Sequence, residues 1–284
     1  MADEHDRRIP LVYVLGNSHS GSTVLGFYIA CDEREFYAGE FKKYYDLPGR
    51  ICSCSEPLES CPMWSKFAGI SHDNFGTNVT MRRKIRAILS LFWGMRFPHS
   101  VVEYENEREI IASVFSTAKN RNDQTSVIVD SSKSVWRLMF LESLDFIDLK
   151  VIHLERDLKG NMASFLKRGH GFFGSLMKIL INDFLIRIYK RKTQTPVIEA
   201  LYQDLAGDPT TLMNTIAAFV GLPDAGPTEL NPNAHELHVP TGNDFTREQF
   251  HRSTHVLKRR DEWNQLMRGW QLKILESLSG AKNP

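Results

Sequence analysis

One short stretch constrains the fold of this chain more than any other: an apolar run that ends in a glycine-bearing turn. Residues 9–15, IPLVYVL, are nearly all apolar, which is typical of a strand buried on both faces of a parallel sheet. Gly16 and Gly21 follow, and a segment with the pattern of a helix runs from Thr23 to Cys31. This order predicts an anion site, because backbone N–H groups in the turn and at the helix N-terminus attract negative charge.

The rest of the chain alternates apolar strand patterns with helical ones. Further strands are predicted at Val127–Asp130, Val151–Leu154 and, more weakly, Val197–Tyr202. Helices are predicted at Met81–Met95, Glu105–Ala118, Trp136–Leu144, Gly160–Leu166, Phe173–Arg191, Thr210–Val220 and Asp261–Leu278. This alternation predicts an α/β fold, with a P-loop-type parallel sheet flanked by helices on both faces. We expect one domain over residues 1–284, with an inserted segment of cysteines and helices around 41–122.

Three polar segments follow three of the predicted strands. They are Gly16–Thr23, Asp130–Lys133 and Glu155–Asp157. In parallel sheets of this kind, ligands bind beyond the carboxyl ends of the strands. We therefore expect these three segments to meet at one edge of the sheet and to form a site there.

The first of these segments is a phosphate loop, G-x-x-x-x-G-K-[ST], with Ser22 in place of its lysine. In nucleotide triphosphatases that lysine holds the terminal phosphates. Without it, the loop suits a single phosphate-like group, with hydroxyls from Ser20, Ser22 and Thr23 and a proton or positive charge from His19. The alternative is a turn of small residues that binds nothing.

Charge and hydropathy exclude some classes of partner. The net charge is +1 and the isoelectric point about 7.7, which gives no electrostatic attraction to nucleic acid or to a membrane surface. No stretch resembles a secretory leader or a bilayer-spanning helix, so a cytoplasmic protein is expected. No pattern in the sequence indicates an oligomeric state.

Three of the four cysteines are clustered. Cys52, Cys54 and Cys61 could be three ligands of a zinc site, with His72 as a fourth. Their spacing is not that of a standard zinc knuckle. The alternatives are reduced thiols in a loop or one local disulfide.

Motifs along nearly the whole chain resemble one known family, the sulfotransferases that use 3′-phosphoadenosine 5′-phosphosulfate (PAPS). SHSGSTVL, residues 18–25, resembles the family's 5′-phosphosulfate loop, although the family usually carries arginine or lysine where this chain has His19. VIHLERDLKGNMAS, residues 151–164, resembles its 3′-phosphate motif. Further similar elements are Gly39-Glu40, the Cys52–Trp64 stretch, Tyr202–Pro209, Gly242-Asn243 with Arg247, and Asp261-x-Trp263.

This resemblance implies PAPS as co-substrate and a set of residues that bind it. The implied donor-binding residues are His19, Ser20, Gly21, Ser22, Thr23, Arg156, Ser164, Tyr202, Lys258 and Arg259. Arg156 and Ser164 can also be argued from spacing, because a strand-end guanidinium and a hydroxyl two helical turns further on can converge on one phosphate. Tyr202 is expected near the adenine. Lys258 and Arg259 either close over the 3′-phosphate or are a solvated charge run.

The catalytic candidates are Glu40, Lys133 and His19. The resemblance implies that Glu40 is the general base, and partial burial would raise its pKa; the alternative is a surface glutamate. Lys133 is expected to neutralise the leaving phosphate oxygen, or else to be a solvated lysine beside a helix cap formed by Ser131 and Ser132. Two further histidines are candidate bases in reserve, namely His235 and His238.

The predicted function is transfer of a sulfuryl group from PAPS to a hydroxyl or amine of a small metabolite, with no metal required. A natural product such as a saxitoxin-like toxin is one candidate acceptor, on a loose resemblance to tailoring enzymes. Aromatic residues could line its pocket or belong to the core: Phe92, Trp93, Phe97, Phe172 and Phe173. The alternatives are a P-loop kinase or nucleotide triphosphatase acting on a small molecule, and a catalytically silent protein that binds the desulfated nucleotide PAP.

Overall fold

A five-stranded parallel sheet lies at the centre of the described part of the chain. The computed structural model describes residues 8–43, 49–67, 80–93, 99–225, 237–243, 246–247 and 263–280. The strands are β1 (Ile9–Gly16), β2 (Glu35–Tyr37), β3 (Val127–Lys133), β4 (Ile147–Glu155) and β5 (Val197–Leu201). Their order across the sheet is β2-β3-β1-β4-β5, and every neighbouring pair is parallel. The predicted α/β class with a parallel sheet is confirmed.

Helices connect and cover the strands. Those in the described residues are α1 (Ser22–Ile29), α2 (Met81–Trp93), α3 (Val101–Arg121), α4 (Val135–Glu142), α5 (Leu158–Leu166), α6 (Phe172–Lys192), α7 (Tyr202–Gly207), α8 (Pro209–Val220), α9 (Trp263–Leu266) and α10 (Gly269–Gly280). The prediction of one continuous C-terminal helix over Asp261–Leu278 is wrong, because the helix is interrupted between α9 and α10. At that break the backbone N–H of Arg268 donates to the Gln271 side chain at 2.7 Å, which caps the second helix.

Side chains that alternate along β1 supply the cores on the two faces of the sheet. Leu11, Tyr13 and Leu15 pack with residues of α3, α4 and α6 on one face. Val12 and Val14 pack with residues of α1 and α8 on the other. Successive residues of a strand point to opposite faces, so a strand covered on both sides must be apolar throughout. Burial of β1 on both faces explains the continuous apolar run at residues 9–15 of the sequence.

A buried ion-pair network fixes the end of β3. Arg137 of α4 is fully buried and pairs with Glu107 of α3 and, at 3.7 Å, with Asp130 of β3. Asp130 Oδ1 also accepts hydrogen bonds from the backbone N–H groups of Phe41, at 3.1 Å, and Ser132, at 2.8 Å. The Asp130 carboxylate therefore connects the segment after β2 to strand β3.

The cap of the helix after β3 differs from the prediction. Ser134, and not Ser131 or Ser132, is the N-cap of α4, and its side chain accepts from the backbone N–H of Arg137. Ser131 and Ser132 continue strand β3 and are fully buried. The hydroxyl of Ser131 is hydrogen-bonded to that of Tyr37 at 2.7 Å.

Glu35 at the start of β2 makes stability depend on pH. Its side chain is buried and Oε1 has no hydrogen-bond partner among the described residues. Burial, and secondarily the charge of Asp32, raise the pKa of Glu35 from 4.5 to about 8. Between these values the folded chain keeps a proton that the unfolded chain releases, so the free energy of unfolding falls as pH rises.

We predict that Glu35→Gln removes this dependence. Relative to Glu35→Gln, wild-type stability should fall by up to about 1.4 kcal/mol per pH unit between pH 4.5 and 8, because all other titrating groups are common to both proteins. The measurement is urea unfolding across that pH range, with Glu33→Gln as the exposed control two residues away. Parallel pH profiles for wild type and Glu35→Gln would contradict the assignment.

Candidate active site at the carboxyl edge of the sheet

A cleft of about 900 Å³ opens at the carboxyl ends of β1, β3 and β4. The turn after β1, Lys133 at the end of β3 and Arg156 after β4 all line it. The convergence of three strand ends predicted from the sequence is therefore present. Six of the lining side chains are lysine or arginine and one is a carboxylate: Lys43, Lys84, Lys133, Arg156, Arg168, Lys178 and Glu40.

The turn after β1 places most of its predicted residues in the cleft. Gly21 precedes α1 with a φ of 99°, in the left-handed region, and an added Cβ would lie 2.5 Å from the ring of Tyr202. Ser22 and Thr23 begin α1 and line the cleft. Ser20 does not line it, because its side chain is turned inward beneath the loop and is fully buried.

His19 lines the cleft as a neutral imidazole. Burial first, and then the charges of Arg168 and Lys133, lower its pKa from 6.5 to about 4. The ring packs edge-on against Phe165, with centroids 4.7 Å apart. The lowered pKa favours the neutral ring in the protein without a bound anion, and the positive charge expected from the sequence stays a prediction for the protein with an anion bound. Its backbone is in the left-handed region, with a φ of 66°.

Lys133 connects the loop to the candidate base. Its Nζ donates to Ser22 Oγ at 3.1 Å and to Glu40 Oε1 at 2.7 Å. The residue also has a left-handed φ, of 65°, which is uncommon for a residue with a Cβ and is found most often at functional positions. The alternative of a freely solvated lysine is wrong, because only 12% of the side chain is exposed.

Glu40 is buried at the wall of the cleft, and so is not a surface glutamate. Its backbone N–H donates to Thr241 Oγ1 at 2.7 Å, and that hydroxyl donates to the Glu40 carbonyl at 3.0 Å. Its second carboxylate oxygen pairs with Lys43 at 2.9 Å. Gly39, before it, has a φ of 76°, and an added Cβ would lie 2.6 Å from the Thr241 carbonyl. The G-E pair thus reflects a close backbone approach.

Two guanidinium groups lie at the other end of the cleft. Arg156 donates to the His19 carbonyl at 3.0 Å and lies 4.3 Å over the ring of Tyr202. Its Nε is buried and has no hydrogen-bond partner in the described part of the chain. Arg168 donates to Ser164 Oγ at 2.8 Å. Burial and the nearby Arg156 charge lower the pKa of Arg168, so the pair favours an anion between them.

Arg168 is a candidate that the sequence motifs did not single out. It follows Ser164 by four residues, the spacing that puts two side chains on one helix face. Lys258 and Arg259, the other predicted phosphate contacts, lie outside the described residues. His235 lies outside them as well.

Several other candidates are not in the cleft. His238 faces Cys61 and Arg121 instead, so it is not a base in reserve. Trp93 and Phe173 are exposed and do not line the cleft, whereas Trp136 and Phe165 do. Phe92 is exposed too, Phe172 packs on Phe173 and Trp270, and Phe97 lies outside the described residues. Helical patterns identify apolar side chains but not the surface they cover.

Comparison with known proteins identifies the fold. No protein-family model matches the chain, and no curated protein sequence does. The solved sulfotransferase domain of the olefin synthase from Synechococcus PCC 7002 is 18% identical, with 98% of each chain covered and a TM-score of 0.57. The chain has the sulfotransferase fold.

Two further sulfotransferase structures match at lower scores. The domain from the curacin biosynthetic pathway is 13% identical over 96% of this chain and 98% of that one, with a TM-score of 0.49. The sulfotransferase STF9 from Mycobacterium avium is 14% identical over 77% of this chain and 64% of that one, with a TM-score of 0.42. Because a fold hosts many activities, the chemistry must be argued from the site of this sulfotransferase fold.

In the described part of this sulfotransferase fold, no helix combines the length and the apolar character needed to cross a bilayer.

The two hydrogen bonds of Thr241 should contribute measurably to stability. In Thr241→Val the buried N–H of Glu40 would lose its acceptor, which costs about 1–3 kcal/mol. Denaturant unfolding measures this loss. Thr215→Val is the matched control, since that residue is exposed and its hydroxyl donates to the Thr211 carbonyl of its own helix. Equal stability of both variants would show that Thr241 does not hold Glu40.

Proposed function

We propose that this chain is a sulfotransferase that moves a sulfuryl group from PAPS to a hydroxyl or amine of a small metabolite. The observation that carries the proposal is the position of Lys133, whose ammonium contacts both the anion-binding turn, at Ser22, and the buried carboxylate of Glu40. A cation that stabilises a leaving phosphate and a base that takes the acceptor's proton must lie this close together for group transfer.

The two ends of the cleft suit the two phosphates of the donor. The turn after β1 offers backbone N–H groups and the hydroxyls of Ser22 and Thr23 to the 5′-phosphosulfate. Arg156 and Arg168, with Ser164 beside them, suit the 3′-phosphate. The Nε of Arg156 is buried without an acceptor among the described residues, which supports this assignment because buried donors in proteins normally have one. Tyr202, between the two ends, suits contact with the nucleoside.

The chain's own residues supply positioning and charge. PAPS supplies the sulfuryl group, and its phosphate leaves with the electron pair of the broken S–O bond. Lys133 stabilises that oxygen, and Glu40 accepts the proton that the acceptor's hydroxyl or amine gives up. His19 contributes a hydrogen bond to the donor from its ring, whose pKa is lowered in the free protein by burial and by the charges of Arg168 and Lys133. No residue in this scheme requires a metal.

The remaining lining of the cleft favours a polar acceptor with negative charge. After the donor contacts are assigned, the remaining charged side chains of the lining are Lys43, which pairs with Glu40, and Lys84 and Lys178; the neutral residues beside them include Asn182 and Trp136. We therefore propose a small anionic metabolite, which includes acidic natural products. A guanidinium-bearing, saxitoxin-like acceptor would meet like charges there and is the less favoured candidate.

The second candidate, a P-loop kinase or nucleotide triphosphatase, fits this cleft less well. Such enzymes hold Mg²⁺ with a carboxylate at a strand end. Here Asp130 is buried in its bonds to Phe41 and Ser132, and Glu40 is the one carboxylate among the described lining residues. Magnesium-dependent ATP turnover without PAPS would support this candidate against ours.

Arg156→Ala should weaken PAP binding by about 2–3 kcal/mol, roughly 30- to 150-fold, because a charge-assisted contact to phosphate is lost. Isothermal titration calorimetry with PAP measures the change. Arg187→Ala, which removes an exposed arginine of α6 outside the cleft, is the control and should bind as wild type does. Unchanged affinity in Arg156→Ala would remove this arginine from the donor site.

Glu40→Gln should lower turnover by about 10²- to 10⁴-fold and leave PAP affinity unchanged, because the amide cannot accept the acceptor's proton. Turnover is measured by mass spectrometry, as the gain of SO₃ on a panel of acidic hydroxyl and amine metabolites incubated with PAPS. Glu105→Gln, at an exposed position of α3, is the control. A wild-type rate in Glu40→Gln would assign the base elsewhere. PAP binding without transfer to any acceptor would favour the catalytically silent protein.

A further inference from the structure

Four side chains outside the cleft bring potential metal ligands to one point. The sulfur atoms of Cys52, Cys54 and Cys61 and a ring nitrogen of His238 all lie within 4.8 Å of one another. Cys52, Cys61 and His238 are buried, and Cys54 is partly exposed. The fourth ligand that the sequence suggested, His72, lies outside the described residues. We propose that these four residues form a structural zinc site.

Two of the distances between the ligand atoms match a tetrahedral site, and all the others are within 4.8 Å. Cys54 Sγ lies 3.8 Å from Cys61 Sγ, and Cys61 Sγ lies 3.3 Å from His238 Nδ1. With Zn–S bonds of about 2.3 Å and a Zn–N bond of about 2.0 Å, a tetrahedron places two sulfurs roughly 3.8 Å apart and a sulfur and a nitrogen roughly 3.5 Å apart. A disulfide would need the two sulfurs at about 2.05 Å.

The ligand types favour zinc over other ions. Thiolates are soft ligands, and three of them with one imidazole make a common structural zinc set. The four protein ligands would complete the coordination sphere, so no position is left for a substrate. On binding, the thiols release their protons to solvent and the metal takes three thiolates. The role is therefore structural and not catalytic.

The backbone around the ligands is already fixed. Val239 N–H donates to Ser53 Oγ at 2.8 Å, and the Ser53 N–H donates to the Val239 carbonyl at 3.1 Å. Trp64 Nε1 donates to the His238 carbonyl at 2.6 Å. These bonds join the cysteine segment to the strip of residues 237–241, although nearly two hundred residues separate them in the chain. Because the ligands of a preorganised site are already positioned, little conformational entropy is lost when a metal binds.

Backbone N–H groups also face the sulfurs. The N–H of Cys54 interacts with the Cys52 sulfur, and that of Glu56 with the Cys54 sulfur. The N–H groups of Met63 and Trp64 interact with the sulfur of Cys61. Each donor lies two or three residues beyond its cysteine. Groups that hydrogen-bond to metal ligands orient them and stabilise the bound metal.

Arg121 must change its partner when the metal binds. Its guanidinium lies 3.0 Å from His238 Nε2, so in this arrangement Nε2 accepts and the ring proton is on Nδ1, towards Cys61. With zinc on Nδ1, the proton moves to Nε2 and the exposed guanidinium turns to solvent. Three thiolates and Zn²⁺ carry a net charge of −1, which the nearby guanidinium still compensates.

The metal content of the full chain tests the proposal. Protein expressed with zinc in the medium and passed through a weak chelator should retain about one zinc ion per chain by elemental mass spectrometry. Cys61→Ser and His238→Gln should lose it and show a lower Tm. Cys31→Ser is the matched control, because that thiol lies at the end of α1 and donates to the Phe27 carbonyl at 3.3 Å. Arg121→Gln should also retain zinc.

Two further measurements keep the test decisive if a variant misfolds. His238→Cys supplies a fourth thiolate and should keep the metal. Cobalt added to the reduced, metal-stripped wild type should give the absorption of tetrahedral cobalt–thiolate. A wild type that binds neither zinc nor cobalt, a disulfide in place of metal, or equal zinc in wild type and His238→Gln would overturn the proposal. None of these readouts depends on PAPS or on transfer.

Discussion

The contact on which the site depends is the pair of bonds from one ammonium group, Lys133, to Ser22 and Glu40. The turn after β1 lacks the lysine that a phosphate loop normally carries, and Lys133 brings a cation to the same place from a different strand. A lysine inside the loop could reach only the anion bound there. A lysine from β3 contacts the turn and the carboxylate together, and in the mechanism we propose this links the donor to the acceptor's proton.

This geometry requires Glu40 to stay in place although no helix or strand contains it. The buried Asp130, which Arg137 holds, accepts from the backbone of Phe41, and Thr241 holds Glu40 on its other side. A buried ion pair adds little to stability compared with apolar packing, but removing one partner is costly. We infer that the network persists because it fixes the position of the carboxylate.

The sequence predicted the sheet, the turn after β1 and the strand-end residues, because each depends on local patterns. A buried strand is an apolar run, and the carboxyl edge of a parallel sheet collects whatever follows each strand. It did not predict β2, because a strand of three residues is too short to show an alternating or apolar pattern. It also missed the pairing of His238 with the cysteines, because that contact forms only when distant parts of the chain meet. It did not predict the burial that lowers the pKa of His19, because burial depends on tertiary packing.

One strip near the C-terminal end connects all of these parts. His238 faces the cysteines, Thr241 holds Glu40, and the backbone N–H of Asn243 donates to Thr23 Oγ1 in the turn, at 3.2 Å. Six residues therefore contact the cysteine cluster, Glu40 and the turn after β1. Because the strip has no regular secondary structure, its shape depends on what fastens its ends. A metal bound at His238 would hold one end of the strip, and an anion bound in the turn would hold the other end. The two ligands should therefore stabilise the same segment and, through it, the position of Glu40.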